Sequence, residues 1–262
     1  MHSPIITVMS AAAIKAGKNL LRDFGEVSEL QISRKGTADF VTQSDLRTEK
    51  KLVNELRKAR PDYGFLLEES GEVPGADESH RWIIDPLDGT SNFIHAQPFF
   101  CISIGLEQRH KNGGTEIIAG VIYDPLHNEL FYAEKNKGAY VNDRRLAASA
   151  RDRLDEAMIA TGSRPARDEI GAARLKRISE HTGFIRNTGS AALDLAYVAA
   201  GRLEGCWFAS LKPWDMAAGL LFIREAGGIS TDFSGNPSTA YTPSLLAANR
   251  HLHGKLLKLL AG

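Results

Sequence analysis

Mixed α and β structure in stacked layers is the fold class this sequence predicts, and three observations carry that prediction. From GFLL at residue 64 to GAYVN ending at 142, short apolar or alternating runs are broken by Asn, Gly and Asp-Pro, the rhythm of an antiparallel meander. From about residue 150, strand-like runs alternate with segments of helical period. Two helical segments precede both regions, and such elements bury their apolar faces by stacking in layers. The 262 residues suffice for a sizeable core. With no repeat or low-complexity linker, residues 1–148 read as an N-terminal α+β subdomain and 149–262 as a C-terminal α/β subdomain of one integrated unit.

The elements follow in order. In MHSPIITVMSAAAIKAGKNLLRDFG, Ile6, Met9, Ala13, Leu20 and Leu21 recur on one helical face, and Lys15 and Lys18 interrupt the apolar run. Without a basic stretch ahead of it, this is an amphipathic helix and not an export signal. TADFVT is expected as a short strand. Thr42 and Asp45 then open a helix that buries Leu46, Leu52, Val53 and Leu56 and ends near Pro61. GFLL is a strand running into Glu68-Glu69-Ser70, GEVPGADES a loop and RWIID a strand. FFCISIGLEQ, EIIAGVIYDP, NELFYAEK and GAYVN complete the meander. Beyond it AMIATG, FIRN, GCWFA, GISTDF and SLLAANR are expected as strands. RDEIGAARLKRISEH, SAALDLAYVAAGR, PWDMAAGLLFIREAGG and HGKLLKLL are expected as helices, the third with Pro213 near its start and glycines after its end.

Composition narrows the function. Lys+Arg and Asp+Glu both number 32, so no overall field recruits nucleic acid or an anionic membrane. No segment approaches the roughly 18 continuous apolar residues of a membrane span. Cys101 and Cys206 sit in apolar surroundings, as buried thiols in a reducing compartment do, which points to the cytoplasm.

The chemistry concentrates in RWIIDPLDGTSN. Asp85 ends an apolar run and Asp88 follows three residues later, with Pro86 and Leu87 between them and Gly89 behind. Two adjacent carboxylates repel unless a shared proton or, better at neutral pH, a divalent cation neutralises them. A short helix beginning at Thr90 would add outward-facing amides of Gly89, Thr90 and Ser91, an anion site beside acid ligands. The plainer alternative is an Asp-Gly turn capped by Asp85. Taken alone, Glu68 and Glu69 read better as a solvated pair and Asp215 better as an ordinary helix-start acid, and Asp45 reads as half of a cap with Thr42. His95, alone after Phe-Ile, reads as structural.

Five stretches in the same order resemble the inositol monophosphatase family of magnesium-dependent phosphatases: KGTADFVTQSD (35–45), EES (68–70), WIIDPLDGTSNFIH (82–95), GSAALDLAYVAAG (189–201) and PWDMAAG with EAGG (213–228). The resemblance implies a layered αβαβα sandwich of the inositol monophosphatase and sugar phosphatase type. It implies metal ligation by Glu68, Asp85, Asp88, Asp215 and the Leu87 carbonyl, with two to three Mg2+ ions per site. Thr90, paired with Asp45, matches positions that orient the attacking water, and Glu68 belongs with them in the catalytic set. Gly89 and Thr90 are expected to hold the phosphate through their amides. Gly189, Ser190 and Ala191 match contacts to the substrate's alcohol portion, and Lys35 matches a lysine near the metals. The expected reaction is hydrolysis of a small phosphorylated metabolite, an inositol-1-phosphate-like monoester, by metal-activated water. The resemblance also implies a homodimer, lithium inhibition and, in some bacterial members, contact with transcription factors.

Two positions depart from the family pattern. Leu67 stands where many members have Gly before Glu-Glu-Ser, a change of packing. Phe208, seven residues before Asp215, stands where inositol-preferring members carry a glutamate that accepts hydrogen bonds from substrate hydroxyls. A phenyl ring accepts none, and losing such a contact costs discrimination. Histidinol phosphate, a sugar bisphosphate or a nucleotide phosphate are therefore alternative substrates, and a regulatory role in transcription or RNA processing is an alternative of another class.

Overall fold

The structure, a computed structural model, describes residues 3–30, 37–110, 113–162 and 169–261, apart from the side chains of 28–30 and 37–42. Helix α1 spans Pro4–Leu30 and α2 Thr37–Ala59. Strands β1 (Tyr63–Leu67), β2 (Gly71–Val73), β3 (Asp77–Asp88), β4 (Cys101–Arg109), β5 (Thr115–Asp124), β6 (Glu129–Glu134), β7 (Gly138–Val141) and β8 (Arg144–Arg145) form one sheet in the order β2-β1-β3-β4-β5-β6-β7-β8. Helix α3 (Thr90–Ile94) interrupts the chain between β3 and β4. All neighbours in this sheet are antiparallel except β1 and β3. The second sheet, β10-β9-β11-β13-β12, joins β9 (Met158–Thr161), β10 (Phe184–Arg186), β11 (Gly205–Phe208), β12 (Ile229–Thr231) and β13 (Leu245–Ala248). Helices α4 (Glu169–Ser179), α5 (Ala191–Ala199), α6 (Pro213–Glu225) and α7 (His253–Ala261) alternate with its strands.

Five layers result. Helices α1 and α2 cover one face of the first sheet, with Met9, Leu20, Leu52 and Leu56 packed on Trp82, Ile84 and Val121. Helices α5 and α6 fill the space between the sheets. Leu193, Met216 and Phe222 meet Ile122 and Phe131 on one side and Cys206 and Leu245 on the other. Helices α4 and α7 close the far side, with Ile178, Leu256 and Leu260 against Trp207 and Leu246. Apart from Asp194, the α5 side of the middle layer is apolar all round because the layer has a sheet on each face. The layer is also tight: a Cβ on Gly105 of β4 would lie 2.8 Å from the Ala217 Cβ, and one on Gly219 of α6 would lie 2.5 Å from the Leu195 Cβ.

Five local expectations are corrected. TADFVT is the start of α2 and not a strand. No Gly or Pro separates it from the helical pattern that follows, so the helix runs through, and Asp45 lies two turns inside it and not in a first-turn cap with Thr42. Leu46 is 45% exposed and Leu21 37%, because each is turned about 100° from a buried neighbour, Asp45 and Leu20 respectively. GEVPGADES contains β2, which pairs with β1 as a hairpin. RWIID is the middle of a twelve-residue strand that runs on to Asp88. Cys101 and Cys206 are buried free thiols. No helix among the described residues is long and apolar enough to cross a membrane.

The close α5–α6 contact yields a test. Gly219→Ala overpacks it, with an expected loss of about 1–3 kcal/mol and a fall in thermal midpoint of about 2–4 °C for each kcal/mol. An unchanged midpoint by calorimetry would show that the two helices have room to part.

Candidate active site

Residues three apart on a regular strand face opposite sides of the sheet. Asp85 and Asp88 escape this because β3 carries a bulge. Asp85 pairs with Ser103 and Asp88 with Cys101, so three steps on β3 oppose two on β4. The extra residue puts both carboxylates on one side, as bulges beside sites do. Pro86, which has no N–H to give the ladder, sits within the bulge, and the Asp85 carboxylate accepts the Leu87 N–H at 2.9 Å. Gly89 then turns the chain at φ 97°, and α3 begins at Thr90. The Thr90 hydroxyl donates to the Leu87 carbonyl at 3.0 Å.

Four further elements reach the same point. β1 delivers Glu68, whose N–H donates to the Ile84 carbonyl and whose carboxyl meets that of Asp85. α6 delivers Asp215 in its first turn, where it accepts the Lys212 N–H at 2.8 Å. Ser103, opposite Asp85, ties this helix start to β4 through the Trp214 carbonyl at 3.2 Å. Asp85, Asp88 and Asp215 each offer an oxygen within 4.8 Å of the others. α5 meets Asp88 end-on: the Ser190 hydroxyl donates to Asp88 Oδ2 at 2.6 Å and the Ala192 N–H at 2.7 Å. α2 supplies Asp45 and, one turn on, Glu49, which accepts the Glu69 N–H at 2.9 Å and the Ser70 hydroxyl.

A cavity of about 370 Å³ opens beside Asp88 and Asp215. Gly189, Ser190, Ala191 and Phe208 line it, together with Asp194 and Leu211. Phe208, at the end of β11, is 5% exposed and gives the cavity an aromatic wall.

Burial and mutual repulsion set the electrostatics. Burial pushes Asp88 up to about 6 although Ser190 and Ala192 donate to it. Burial and then Asp88 push Asp215 up to about 7. Burial, with Glu69, Glu68 and Glu49 around it, pushes Asp45 up to about 8. Asp85 and Glu68 are raised as well, by burial first. Among the described residues, the buried Oδ1 atom of Asp45 has no hydrogen-bond partner. A cluster of desolvated carboxylates with all-oxygen donors suits Mg2+ or Ca2+, and zinc poorly.

Of the residues expected from the sequence, the structure gathers Asp45, Glu68, Asp85, Leu87, Asp88, Gly89, Thr90 and Asp215 around one point. It lines the adjoining cavity with Gly189, Ser190, Ala191 and Phe208. The Thr90 hydroxyl goes to Leu87 and makes no hydrogen bond to Asp45, and the Ser190 hydroxyl is engaged by Asp88. Lys35 lies outside the described residues. His95 is exposed, with its ring on the Ser91 carbonyl. Glu49, Asn92, Thr188 and Asp194 were not singled out. For Glu49 the available signal was its four-residue spacing from Asp45 on α2. For Asp194 it was an acid inside an otherwise apolar helix.

Together, fold and site define a layered protein that gathers carboxylates suited to a cation at the mouth of a small-molecule cavity. The model of the inositol monophosphatase family matches residues 1–262, and this chain belongs to that family. An inositol-1-monophosphatase of Rhizobium meliloti (strain 1021) is 49% identical over 254 residues, covering 96% of this chain and 94% of that protein. Nus factor SuhB of Escherichia coli (strain K12) is 42% identical over 253 residues, covering 95% and 92%. The solved extragenic suppressor protein suhB from Bartonella henselae has a TM-score of 0.89 at 49% identity, with 98% of each chain covered.

Carboxylates raised in the folded state hold protons that the unfolded chain has released. Their contribution to stability is therefore full below about pH 4 and lost as pH rises through 6 to 8. In EDTA the thermal midpoint is expected to lose that contribution across this window. The increment from added Mg2+ should be larger at pH 8 than at pH 5, since a cation binds the ionised acids. A Mg2+ increment independent of pH in scanning fluorimetry would contradict this account.

Proposed function

We propose that this chain hydrolyses a small phosphate monoester with Mg2+ held by Glu68, Asp85, Asp88, Asp215 and the Leu87 carbonyl. The supporting observation is the meeting of three aspartates within 4.8 Å at the mouth of a cavity. Bound magnesium, in two to three ions, supplies positive charge for the phosphate oxygens and acidifies a water. The chain's own groups do the placing. The bulge and α5 orient Asp85 and Asp88, and the α6 start orients Asp215. The Gly89 and Thr90 amides hold the phosphate, and Thr90 with Asp45 orients the water. Asp45, whose Oδ1 has no hydrogen-bond partner among the described residues, would take the water's proton once bound cations bring its raised pKa down into the ionised range.

The leaving alcohol occupies the cavity against Phe208. An inositol-1-phosphate-like ester fits the family, whereas the aromatic wall favours a less hydroxylated alcohol such as histidinol, or a nucleoside, over a sugar bisphosphate. Residues 1–148 and 149–262 act as one unit, cytoplasmic, homodimeric and lithium-sensitive. A second reading, contact with transcription factors, is supported by the 42% identity to Nus factor SuhB.

Asp88→Asn and Asp215→Asn are each expected to lower Mg2+-dependent phosphate release by more than about 10²-fold, beyond the usual effect of losing an outer partner of a ligand, with circular dichroism unchanged. Near-normal turnover by either folded variant would remove the metal assignment. Phe208→Glu restores an acceptor and should raise kcat/KM for inositol-1-phosphate relative to glycerol-2-phosphate by about tenfold or more. An unchanged ranking would place Phe208 outside substrate reach.

A further inference from the structure

The oxygen Asp88 Oδ2 is committed to α5 through Ser190 and Ala192, and the Ser190 hydroxyl also caps the helix by accepting the Leu193 N–H at 3.4 Å. The residues just before Ser190 hold it in place. Gly189 adopts φ +86°, and a Cβ there would lie 2.9 Å from both side-chain polar atoms of Asn92. Thr188 is gripped on two sides. Its carbonyl accepts from Asn92 Nδ2 at 2.8 Å, and the same nitrogen donates to the Phe99 carbonyl at 2.6 Å. Its hydroxyl donates to Asp194 Oδ1 at 2.8 Å. Asn92 belongs to α3, four residues after Asp88, while Asp194 belongs to α5. The segment is thus pinned both to α3, the short helix that directly follows Asp88, and to the helix that meets Asp88.

Asp194 has no evident reason of stability. It is 1% exposed, and among the described residues Thr188 is the one side chain that donates to its carboxylate. A buried carboxylate without a cationic partner costs stability. Such groups are retained where they fix a geometry. The geometry within reach is the position of Ser190 on Asp88.

We propose that Thr188 and Asp194 are positioning residues for Asp88: their hydrogen bond, with Asn92 on the other side of Thr188, holds Ser190 on Asp88 and so sets the affinity of the site for a divalent cation. This rests on the reading of Asp88 as a metal ligand. The supports of ligating carboxylates commonly contribute 10–100-fold to metal affinity.

The experiment is direct Mn2+ binding to the full-length protein, followed by the electron paramagnetic resonance of the free ion, with no substrate present. Thr188→Val, which keeps the shape and removes the hydroxyl, is expected to weaken Mn2+ binding about tenfold or more, while Thr188→Ser stays within about threefold of the parent. Unchanged binding by Thr188→Val overturns the proposal. Equal losses in Val and Ser variants also overturn it, because Ser keeps the hydroxyl and the loss would then trace to a general disturbance of the segment and not to the hydrogen bond. So does a lower thermal midpoint of the metal-free Thr188→Val protein with Mn2+ affinity intact. Should Thr188→Val not fold, Ser190→Ala must show the same loss, and parental affinity there is equally fatal. Asp88→Asn separates the two readings: if it binds Mn2+ like the parent, the metal site itself is wrong. If it loses Mn2+ while Thr188→Val does not, only the brace fails.

Discussion

Everything in this molecule answers to the repulsion among buried carboxylates at the end of β3. Asp85, Asp88, Asp215 and Glu68 are brought together out of water, where each charge is costly and each neighbour makes the next one costlier. No single segment could impose this. A bulge turns two acids to one side, a parallel strand end brings the third, and a helix start brings the fourth. Two helix N-termini meet the cluster, because that is where a fold offers backbone N–H groups and favourable dipole charge to an anion.

The layering follows from that requirement. β3 belongs to the first sheet, α5 and α6 to the layer between the sheets, and β11, which ends at Phe208, to the second sheet. Small residues let α6 lie almost on β4 and against α5, so that Asp215 and the α5 start reach Asp85 and Asp88 without long loops. The core stabilises the fold and the site strains it. The upward pKa shifts follow from burial and mutual repulsion, a local cost of the kind that a divalent cation would relieve and a usual trade between stability and activity.

Outside the acids, the site is held by side chains whose role is orientation. Glu49 fixes the Glu68-Glu69-Ser70 turn, Ser103 fixes the start of α6, and Asn92 joins α3 to the loop before α5. Each is polar and at least partly buried, and each bonds backbone or side chain far away in sequence. The Thr188–Asp194 contact is of the same kind. The cavity is closed by Phe208 from one sheet and by Asp88 from the other, so a change at the end of β11 would reshape it and leave the carboxylates untouched.

The sequence by itself determined most of the elements, since their periods of 2 and 3.6 and their turn residues are local, and it determined the family through motifs whose order is local too. It also marked Asp85, Asp88 and Asp215, each at the end of an apolar run or at a helix start. It did not separate TADFVT from a strand, because Thr, Phe and Val are residues that favour strands and only the unbroken run into α2 makes them helical. It could not distinguish Leu46 from Leu52, or Leu21 from Leu20, since a helical face is decided by what packs on it. Only the tertiary structure decided that Ser190 faces Asp88, that Glu49 supports Glu69, and that Asp194 reaches Thr188. Some of these partners lie 20 to 102 residues apart; for Thr188 and Asp194, six apart, the loop path held by Asn92 sets the contact. A hydrogen bond across such distances, or across a turn of irregular path, leaves no periodic trace in the chain.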